Sequence, residues 1–305
     1  MQVTTGRFAP SPTGPLHLGN LRTAVLAWCF ARHEGGRFVV RMEDLTTQTA
    51  ADHEDGQLAD LAALGLDHDG SVWRASECRA AHAAAIAELE EAGLTYPCFC
   101  SRREIREAAA APHGTGLEGA YPGTCSTLSP DEVESLLEHR PHPALRLRTA
   151  GRKIAVTDRI LGEIGAEVDD FVLRRGDGVA AYNLSVVVDD AAQGVDQVVR
   201  GDDLAPTTSR QVLLHELLGL SVPAYAHVPL VVGPDGERLS KRHGSVSLGD
   251  LARAGIGAAG VLGLIAESLG LAAPGEKPTA AQILDRFDPE AVPSGTWEFA
   301  PPAPG

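Results

Sequence analysis

The chain has 305 residues, of which 44% are hydrophobic and 22% are charged, as in a globular protein with a substantial core. No apolar run is long enough to span a bilayer, and the first residues lack the charged and apolar regions of a signal peptide, so we expect a cytoplasmic protein. A net charge of −15 argues against a general nucleic-acid binder and confines any RNA contact to a local, salt-sensitive face.

The first predicted elements surround residues 7–20, which read R-F-A-P-S-P-T-G-P-L-H-L-G-N. This stretch follows a short strand and leads into a helix through about residue 32, because apolar residues recur at helical spacing from Leu21 to Trp28. A strand, a Gly/Pro turn and a helix N-terminus form an anion site, most often for phosphate. On its own, His17 at the helix entrance is more commonly an ordinary surface histidine.

The next elements predict an α/β domain that is split by an insertion. A second strand at 37–43 completes a βαβ unit, which implies a parallel sheet with a right-handed crossover. Helices are predicted over 52–64 and 77–92, with a short strand at 72–76. From residue 95, cysteines and a Gly-rich loop break this alternation, and we expect residues 95–180 to be an insertion between catalytic segments 1–94 and 181–245.

Within the predicted insertion, Ser129 and Pro130 start a helix, and strands are expected at 144–148, 154–160 and 167–174. The α/β pattern then resumes, and its predicted elements are strands at 183–188, 195–200 and 228–232 and a helix at 208–218. Residues 246–290 are expected to form a helical segment and residues 291–305 a disordered tail.

Two further patterns suggest an anionic substrate. R-L-S-K-R at 238–242 places three cations in a loop after a strand, which suits a polyphosphate, although the pentapeptide alone is as readily a solvated basic loop. Arg7 and Arg200 stand at strand ends, where ligands of parallel sheets bind, and their fork suits a carboxylate. Glu43 ends the second strand and offers an anion for an ammonium group. Taken singly, each is more commonly a surface ion pair.

The five cysteines form an odd set that does not suggest a disulfide framework. Cys98, Cys100 and Cys125 instead fit a tetrahedral zinc site that needs one more ligand. On chemistry alone, His113 is the default fourth ligand.

Together, residues 7–20 and 238–242 resemble the two signatures of class I aminoacyl-tRNA synthetases of the glutamyl branch. The segment H-L-G-N stands where that family carries H-I-G-H, with Asn20 in place of the second histidine, and R-L-S-K-R resembles K-M-S-K-S with Arg238 in place of the first lysine. The resemblance implies a Rossmann-like α/β catalytic domain, an inserted zinc-containing α+β subdomain and a C-terminal helical segment.

The resemblance also implies the site residues. His17 and Lys241 would be catalytic, and ATP would be bound by His17, Gly19, Asn20 and Lys241. Glutamate would be bound by Arg7, Phe8, Ala9, Pro10, Ser11, Glu43, Tyr182 and Arg200. C-x-C followed by Y-x-x-x-C resembles the glutamyl-Q tRNA(Asp) synthetase group of the family, which implies one structural Zn²⁺ on Cys98, Cys100, Tyr121 and Cys125.

Only a short segment follows Leu271, so we expect no anticodon-binding region, again as in the glutamyl-Q tRNA(Asp) group. That resemblance implies activation of L-glutamate by ATP with Mg²⁺ to glutamyl-adenylate. The glutamyl group would then pass to the queuosine base in the anticodon stem-loop of tRNA(Asp), on a monomer with no membrane partner. The alternatives are a truncated glutamyl-tRNA synthetase that charges a 3′ end and a non-catalytic tRNA-binding paralogue. The two intact signatures argue against the paralogue.

Overall fold

The computed structural model describes residues 3–46, 49, 51–101, 103–105, 121–237, 239 and 246–300. In these ranges the strands are β1 (Thr5–Phe8), β2 (Arg37–Met42), β3 (Trp73–Arg74), β4 (Thr95–Cys98), β5 (Ala144–Leu147), β6 (Lys153–Asp158), β7 (Gly162–Glu167), β8 (Val172–Arg174), β9 (Gln197–Gly201), β10 (Ala224–Val228), β11 (Val231–Val232) and β12 (Trp297–Glu298). The helices are α1 (Leu18–His33), α2 (Ala51–Ala63), α3 (Arg79–Glu91), α4 (Pro130–His139), α5 (Tyr182–Gln193), α6 (Ala205–Leu217), α7 (Leu248–Arg253), α8 (Ala258–Ser268) and α9 (Ala280–Arg286).

The centre of the molecule is a seven-stranded sheet in the order β3-β2-β1-β9-β10-β6-β7. Its pairs are parallel except for β6 with β7, which form an antiparallel edge. The order changes direction at β1, which lies between β2 and β9. In open α/β sheets the crevice beyond the carboxyl ends of the strands at such a point is where ligands bind.

Helix α1 lies across the sheet and is buried over most of its length, from Leu18 to Ala31. Gly6 in β1 permits this approach, because a Cβ at Gly6 would lie 2.9 Å from the Cβ of Ala31. A buried apolar cluster joins α1 to the C-terminal helices, with Phe30 packed edge-on against Phe287 at 5.1 Å between ring centroids. The sheet with its covering helices confirms the predicted α/β class.

Helix α5 differs from the strand expected at 183–188. The run from Leu184 to Asp190 is buried throughout, because α5 packs against α3, α6 and β8. A helix enclosed in this way needs no polar face, so its sequence reads as a continuous β-branched segment of the kind that usually predicts a strand.

Three other segments differ from their predicted limits. The strand expected at 167–174 is divided, since β7 ends at Glu167 and β8 begins at Val172. The strand expected at 228–232 is the junction of β10 with β11. The tail expected to be disordered is ordered in its described part, where β12 pairs in parallel with β11 and Phe299 is buried.

The segment predicted as an insertion contributes to both sheets. Strands β4, β5 and β8 form a separate antiparallel sheet, whereas β6 and β7 extend the main sheet beyond β10. The domain boundaries at 95 and 180 stay a prediction. Among the described residues, no helix has both the length and the apolar character needed to cross a membrane.

Candidate active site and cysteine cluster

A cavity of about 600 Å³ opens at the carboxyl ends of β1 and β9. The residues predicted to bind glutamate all line it, namely Arg7, Phe8, Ala9, Pro10, Ser11, Glu43, Tyr182 and Arg200. Three of the predicted ATP-binding residues line the same cavity, namely His17, Gly19 and Asn20. Lys241 and Arg238 lie outside the described residues.

Arg7 is held in the cavity wall by a buried carboxylate. Its side chain is only 4% exposed, its Nε lies 3.5 Å from Oδ1 of Asp190, and its Nη1 donates to the carbonyl of Val199 at 3.2 Å. Burial alone would raise the pKa of Asp190, but Arg41, and then Arg7, outweigh burial and hold the pKa below its ordinary value. Asp190 therefore stays ionised and fixes the position of Arg7.

Glu43 is an acidic residue of the cavity wall. Nε of Arg41 lies 3.0 Å from Oε1 of Glu43, and Nη1 of Arg41 lies 2.7 Å from Asp190, so one buried arginine bridges two carboxylates. Burial raises the pKa of Glu43 although Arg41 opposes the shift. A cationic ligand group beside Glu43 would relieve this cost of burying a charge.

Arg200 is held mainly by neutral partners. It donates from Nε to Nε2 of His227 at 3.0 Å, from Nη1 to Gln211 at 2.7 Å and from Nη2 to Thr208 at 2.8 Å. Because Nε2 of His227 accepts, Nδ1 carries the proton and donates to Asp158 across 2.6 Å. Among the described residues no carboxylate lies within ion-pair distance of Arg200, which is only 4% exposed.

His17 is the N-cap of α1. Its Nδ1 accepts from the backbone N–H of Asn20 at 3.3 Å, while the Asn20 side chain accepts from the backbone N–H of His17 at 3.2 Å. With Nδ1 as the acceptor, Nε2 of the neutral ring carries the proton. Gly19 allows this ring position, because a Cβ there would lie 3.0 Å from Cε1 of His17.

Several residues that shape the cavity were not predicted from the sequence. Nε2 of Gln57 donates to the carbonyls of Ser11 and Gly14 at 3.0 and 2.7 Å and so fixes the turn after β1. Arg41 stands two residues before the predicted Glu43 in the segment R-M-E-D, and Asp190 is the second of two aspartates that follow the apolar run of α5, so both had a signal in the sequence. Nothing in a single sequence distinguishes Gln57, Asp158 or His227 from other polar residues.

The four predicted zinc ligands lie together. The three sulfur atoms of Cys98, Cys100 and Cys125 lie within 4.8 Å of one another, with Cys100 and Cys125 3.5 Å apart. The Tyr121 hydroxyl lies 3.5 Å from the Cys98 sulfur and 3.8 Å from that of Cys100. The alternative ligand, His113, lies outside the described residues.

This geometry fits a tetrahedral Zn²⁺ ion, whose thiolate ligands at about 2.3 Å lie about 3.8 Å from one another. Burial raises the pKa of Cys100 to about 12 and also raises the pKa of Tyr121, so a cation is needed to deprotonate these groups. The Arg146 guanidinium lies 3.6 Å from the ring centroid of Tyr121, and the Tyr121 hydroxyl accepts from the Cys125 backbone N–H at 2.8 Å. Both contacts would stabilise a phenolate.

Comparison with known proteins agrees with this arrangement. The family model for the catalytic domain of class I tRNA synthetases (E and Q) matches residues 2–261. The chain belongs to this family. It is therefore a ligase of the synthetase type, and class I synthetases use ATP with Mg²⁺. The predicted family resemblance is confirmed.

Individual relatives of this class I synthetase include both short and long proteins. A glutamyl-Q tRNA(Asp) synthetase of Nocardia farcinica is 56% identical, over 96% of this chain and 92% of that protein. The glutamyl-Q tRNA(Asp) synthetase of Symbiobacterium thermophilum is 44% identical, over 94% and 93%. A glutamate tRNA ligase of Elizabethkingia meningosepticum, solved in complex with its amino acid, superposes with a TM-score of 0.83 and 27% identity, over 98% of this chain and 67% of that one.

Proposed function

We propose that this synthetase activates L-glutamate with ATP and transfers the glutamyl group to the queuosine base of tRNA(Asp). The observation that carries the proposal is the pair of buried guanidinium groups, Arg7 and Arg200, in one cavity beside the N-terminus of α1. The names and matching lengths of the glutamyl-Q tRNA(Asp) relatives favour queuosine as the acceptor.

The two arginines suit the recognition of a dicarboxylic amino acid. Arg200 carries a buried charge with no carboxylate partner among the described residues, so a substrate carboxylate would supply the missing counter-charge. Arg7 already shares Asp190 with Arg41, and its Nε makes no hydrogen bond within the described structure. In this proposal Arg200 and Arg7 bind carboxylate oxygens, and Glu43 with Tyr182 receives the ammonium group.

Activation requires one oxygen of the glutamate α-carboxylate to attack the α-phosphorus of ATP in line with the leaving pyrophosphate. The new P–O bond forms as the bond to the β-phosphate oxygen breaks, which produces glutamyl-adenylate and pyrophosphate. The N-terminus of α1 and the Nε2–H of His17 would stabilise negative charge on the phosphates, so positioning and electrostatics do most of the work.

Lys241 would add a cation on the leaving phosphates. The described residues on either side of positions 240–245 support this position. The Leu239 N–H donates to the carbonyl of Val231 in the cavity wall at 3.0 Å, and the Leu18 N–H, at the start of α1, donates to the carbonyl of Val246 at 3.0 Å. Leu239 and Val246, which flank positions 240–245, are therefore both attached beside the cavity.

In the second step a hydroxyl of the queuosine cyclopentene-diol attacks the carbonyl carbon of the mixed anhydride. An ester bond forms, the bond to the adenylate phosphate breaks, and AMP and a proton are released. Zinc, when bound by Cys98, Cys100, Tyr121 and Cys125, supplies a structural crosslink rather than a reactive centre. These residues would fasten the segment between β4 and α4, and we propose that this segment contacts the anticodon stem-loop.

Charging of a tRNA 3′ end is a second candidate, because glutamate–tRNA ligase 1 of Halorhodospira halophila is 40% identical over 99% of this chain and 66% of that protein. Glutamylation assays on three substrates distinguish transfer to queuosine from charging of a 3′ end. The substrates are tRNA(Asp) with queuosine, the same tRNA without it, and an isolated anticodon stem-loop that carries queuosine. We expect the first and third to accept glutamate. A requirement for an intact 3′ end would favour the second candidate.

Activation itself is tested by glutamate-dependent exchange of pyrophosphate into ATP. We expect exchange with glutamate, and a fall of about two orders of magnitude in Lys241→Ala, since losing one contact to developing charge costs about 3 kcal/mol. The absence of exchange with glutamate, both with and without tRNA, would contradict the proposed activity.

A further inference from the structure

A second, smaller cavity of about 190 Å³ lies between α3 and the turn that joins β8 to α5. Its walls are formed by Arg79, His82, Ala83, Ile86, Glu90, Arg174, Gly178, Val179 and Ala180. None of these residues lines the larger cavity, and none belongs to the cysteine cluster.

Two arginines of this cavity make no ion pair among the described residues. Within the described part of the chain, neither Arg79 nor Arg174 makes a side-chain hydrogen bond or an ion pair. This is unusual in a chain of net charge −15, where most described arginines do contact a carboxylate. Glu90 also lines the cavity and, like Arg79, is exposed, so two guanidinium groups and one carboxylate leave a net positive charge on the walls.

His82, in the wall of the cavity, also has an unpartnered buried nitrogen. His82 is only 2% exposed, and its Nε2 lies 2.7 Å from Oδ1 of Asp189. A carboxylate only accepts hydrogen bonds, so Nε2 carries a proton, and in the neutral tautomer with that proton Nδ1 is an acceptor. Nδ1 is buried and has no hydrogen-bond partner in the described structure. The free-energy cost of removing this nitrogen from water is therefore not offset by a hydrogen bond within the protein.

We infer that this cavity binds a small phosphate that retains one P–OH group, as inorganic phosphate or a phosphate monoester. The anionic oxygens would accept from the guanidinium groups of Arg79 and Arg174, for which a planar fork is well suited. The P–OH would donate to Nδ1 of His82. A sulfate ion and the phosphodiester of an RNA backbone both lack that donor, so they would leave Nδ1 unpaired.

The site can be tested by equilibrium dialysis of the full chain against radiolabelled inorganic phosphate at neutral pH. We expect one saturable site per chain and a dissociation constant at least tenfold higher in Arg174→Gln and in Arg79→Gln. Neither side chain has a partner to lose, so both variants should fold, and thermal unfolding would verify this. Arg152→Gln is the matched control, because it removes a half-exposed arginine that pairs with Glu216 elsewhere on the surface.

Competition distinguishes the chemical class of the ligand. Unlabelled phosphate and methyl phosphate should displace the label, whereas sulfate and dimethyl phosphate should require at least tenfold higher concentrations. Sulfate that competes as well as phosphate would overturn the role of Nδ1 as an acceptor, and with it the proposed ligand. Binding that Arg79→Gln and Arg174→Gln both retain would place the phosphate elsewhere and overturn the site.

Discussion

Arg200 donates its Nε hydrogen to Nε2 of His227 across 3.0 Å, so a neutral histidine holds the guanidinium in the wall of the larger cavity. The same histidine is fixed by Asp158, which lies 2.6 Å from its Nδ1 and also accepts from its backbone N–H. One of the three side-chain contacts that orient Arg200 is therefore supported by Asp158 on β6, a carboxylate that does not itself line the cavity.

Replacing the histidine tests this support. His227→Phe keeps an aromatic ring at this position but leaves the buried Nε–H of Arg200 without an acceptor. Leaving that donor unpaired costs about 1–3 kcal/mol of free energy. We expect the KM for glutamate in pyrophosphate exchange to rise at least tenfold, with a smaller effect on the KM for ATP. Tyr225→Phe is the control, since Tyr225 stacks on His227 with centroids 6.0 Å apart. An unchanged glutamate KM in His227→Phe would contradict the positioning role.

The buried histidines also predict how stability depends on pH. Burial lowers the pKa of His227 below its ordinary value of 6.5, although Asp158 opposes the shift, and burial likewise lowers the pKa of His215. As the pH falls below 6.5, the unfolded chain binds protons before the folded chain does, so the free energy of unfolding decreases. Each histidine contributes at most about 1.4 kcal/mol per pH unit.

Urea denaturation at pH 7.5, 6.5 and 5.5 measures this effect. We expect little change between the two higher values and a clear loss of stability at pH 5.5. His215→Leu removes one of the titrating groups and should give a shallower dependence. Equal stability at all three values would show that the two histidines titrate alike in the folded and unfolded chain.

Amino-acid choice follows from the unpaired charge of Arg200. Arg200→Met should lower kcat/KM for glutamate by about two orders of magnitude, because a charge-assisted contact of about 3 kcal/mol is lost. The unaltered chain should discriminate strongly against glutamine, whose neutral amide leaves the buried cation without a counter-charge. Equal exchange with glutamate and glutamine in the unaltered chain would contradict the proposed pocket.

The close packing of Gly19 against His17 predicts a selective effect on activation. Gly19→Ala would place a methyl group 3.0 Å from Cε1 of His17 and displace the ring from its capping position. We expect at least a tenfold fall in the rate of pyrophosphate exchange and a loss of only about 1 kcal/mol in stability, typical of a lost cap. Gly56→Ala is the control, because a Cβ there meets nothing within 4 Å.

The cysteine cluster predicts one zinc ion per chain. Cys125→Ser should lose the metal and reduce transfer to tRNA more than pyrophosphate exchange, because the cavity residues lie on other elements. Elemental analysis of protein prepared without chelator measures the zinc content, and Cys78→Ser should retain it, since Cys78 lies outside the cluster. Zinc retained at full affinity by Tyr121→Phe would exclude the tyrosine as the fourth ligand.

The sequence was most informative where a function leaves local patterns. The residues from Arg7 to Asn20 are continuous in sequence, so a single motif predicted most of the residues that form one wall of the cavity. The support of Arg200 by His227 and Asp158 could not be predicted in this way. Asp158 and His227 are 69 residues apart in sequence and meet only through the pairing of β6 with β10. The sequence predicted a strand where α5 forms a helix. Because neighbouring elements enclose α5, its residues are apolar without the helical periodicity that would have indicated a helix.

The salt bridges of Asp190 also limit which substitutions can change the amino-acid specificity. Arg7 depends on this carboxylate for charge balance, and Arg41 pairs with it as well as with Glu43. Removing Arg7 to admit a neutral amino acid would weaken the ionised state of Asp190 and disturb the arginine that holds Glu43. A specificity library that varies Arg7 alone would therefore recover mostly unstable enzymes, whereas one that varies Arg7 together with Asp190 samples charge-balanced pockets.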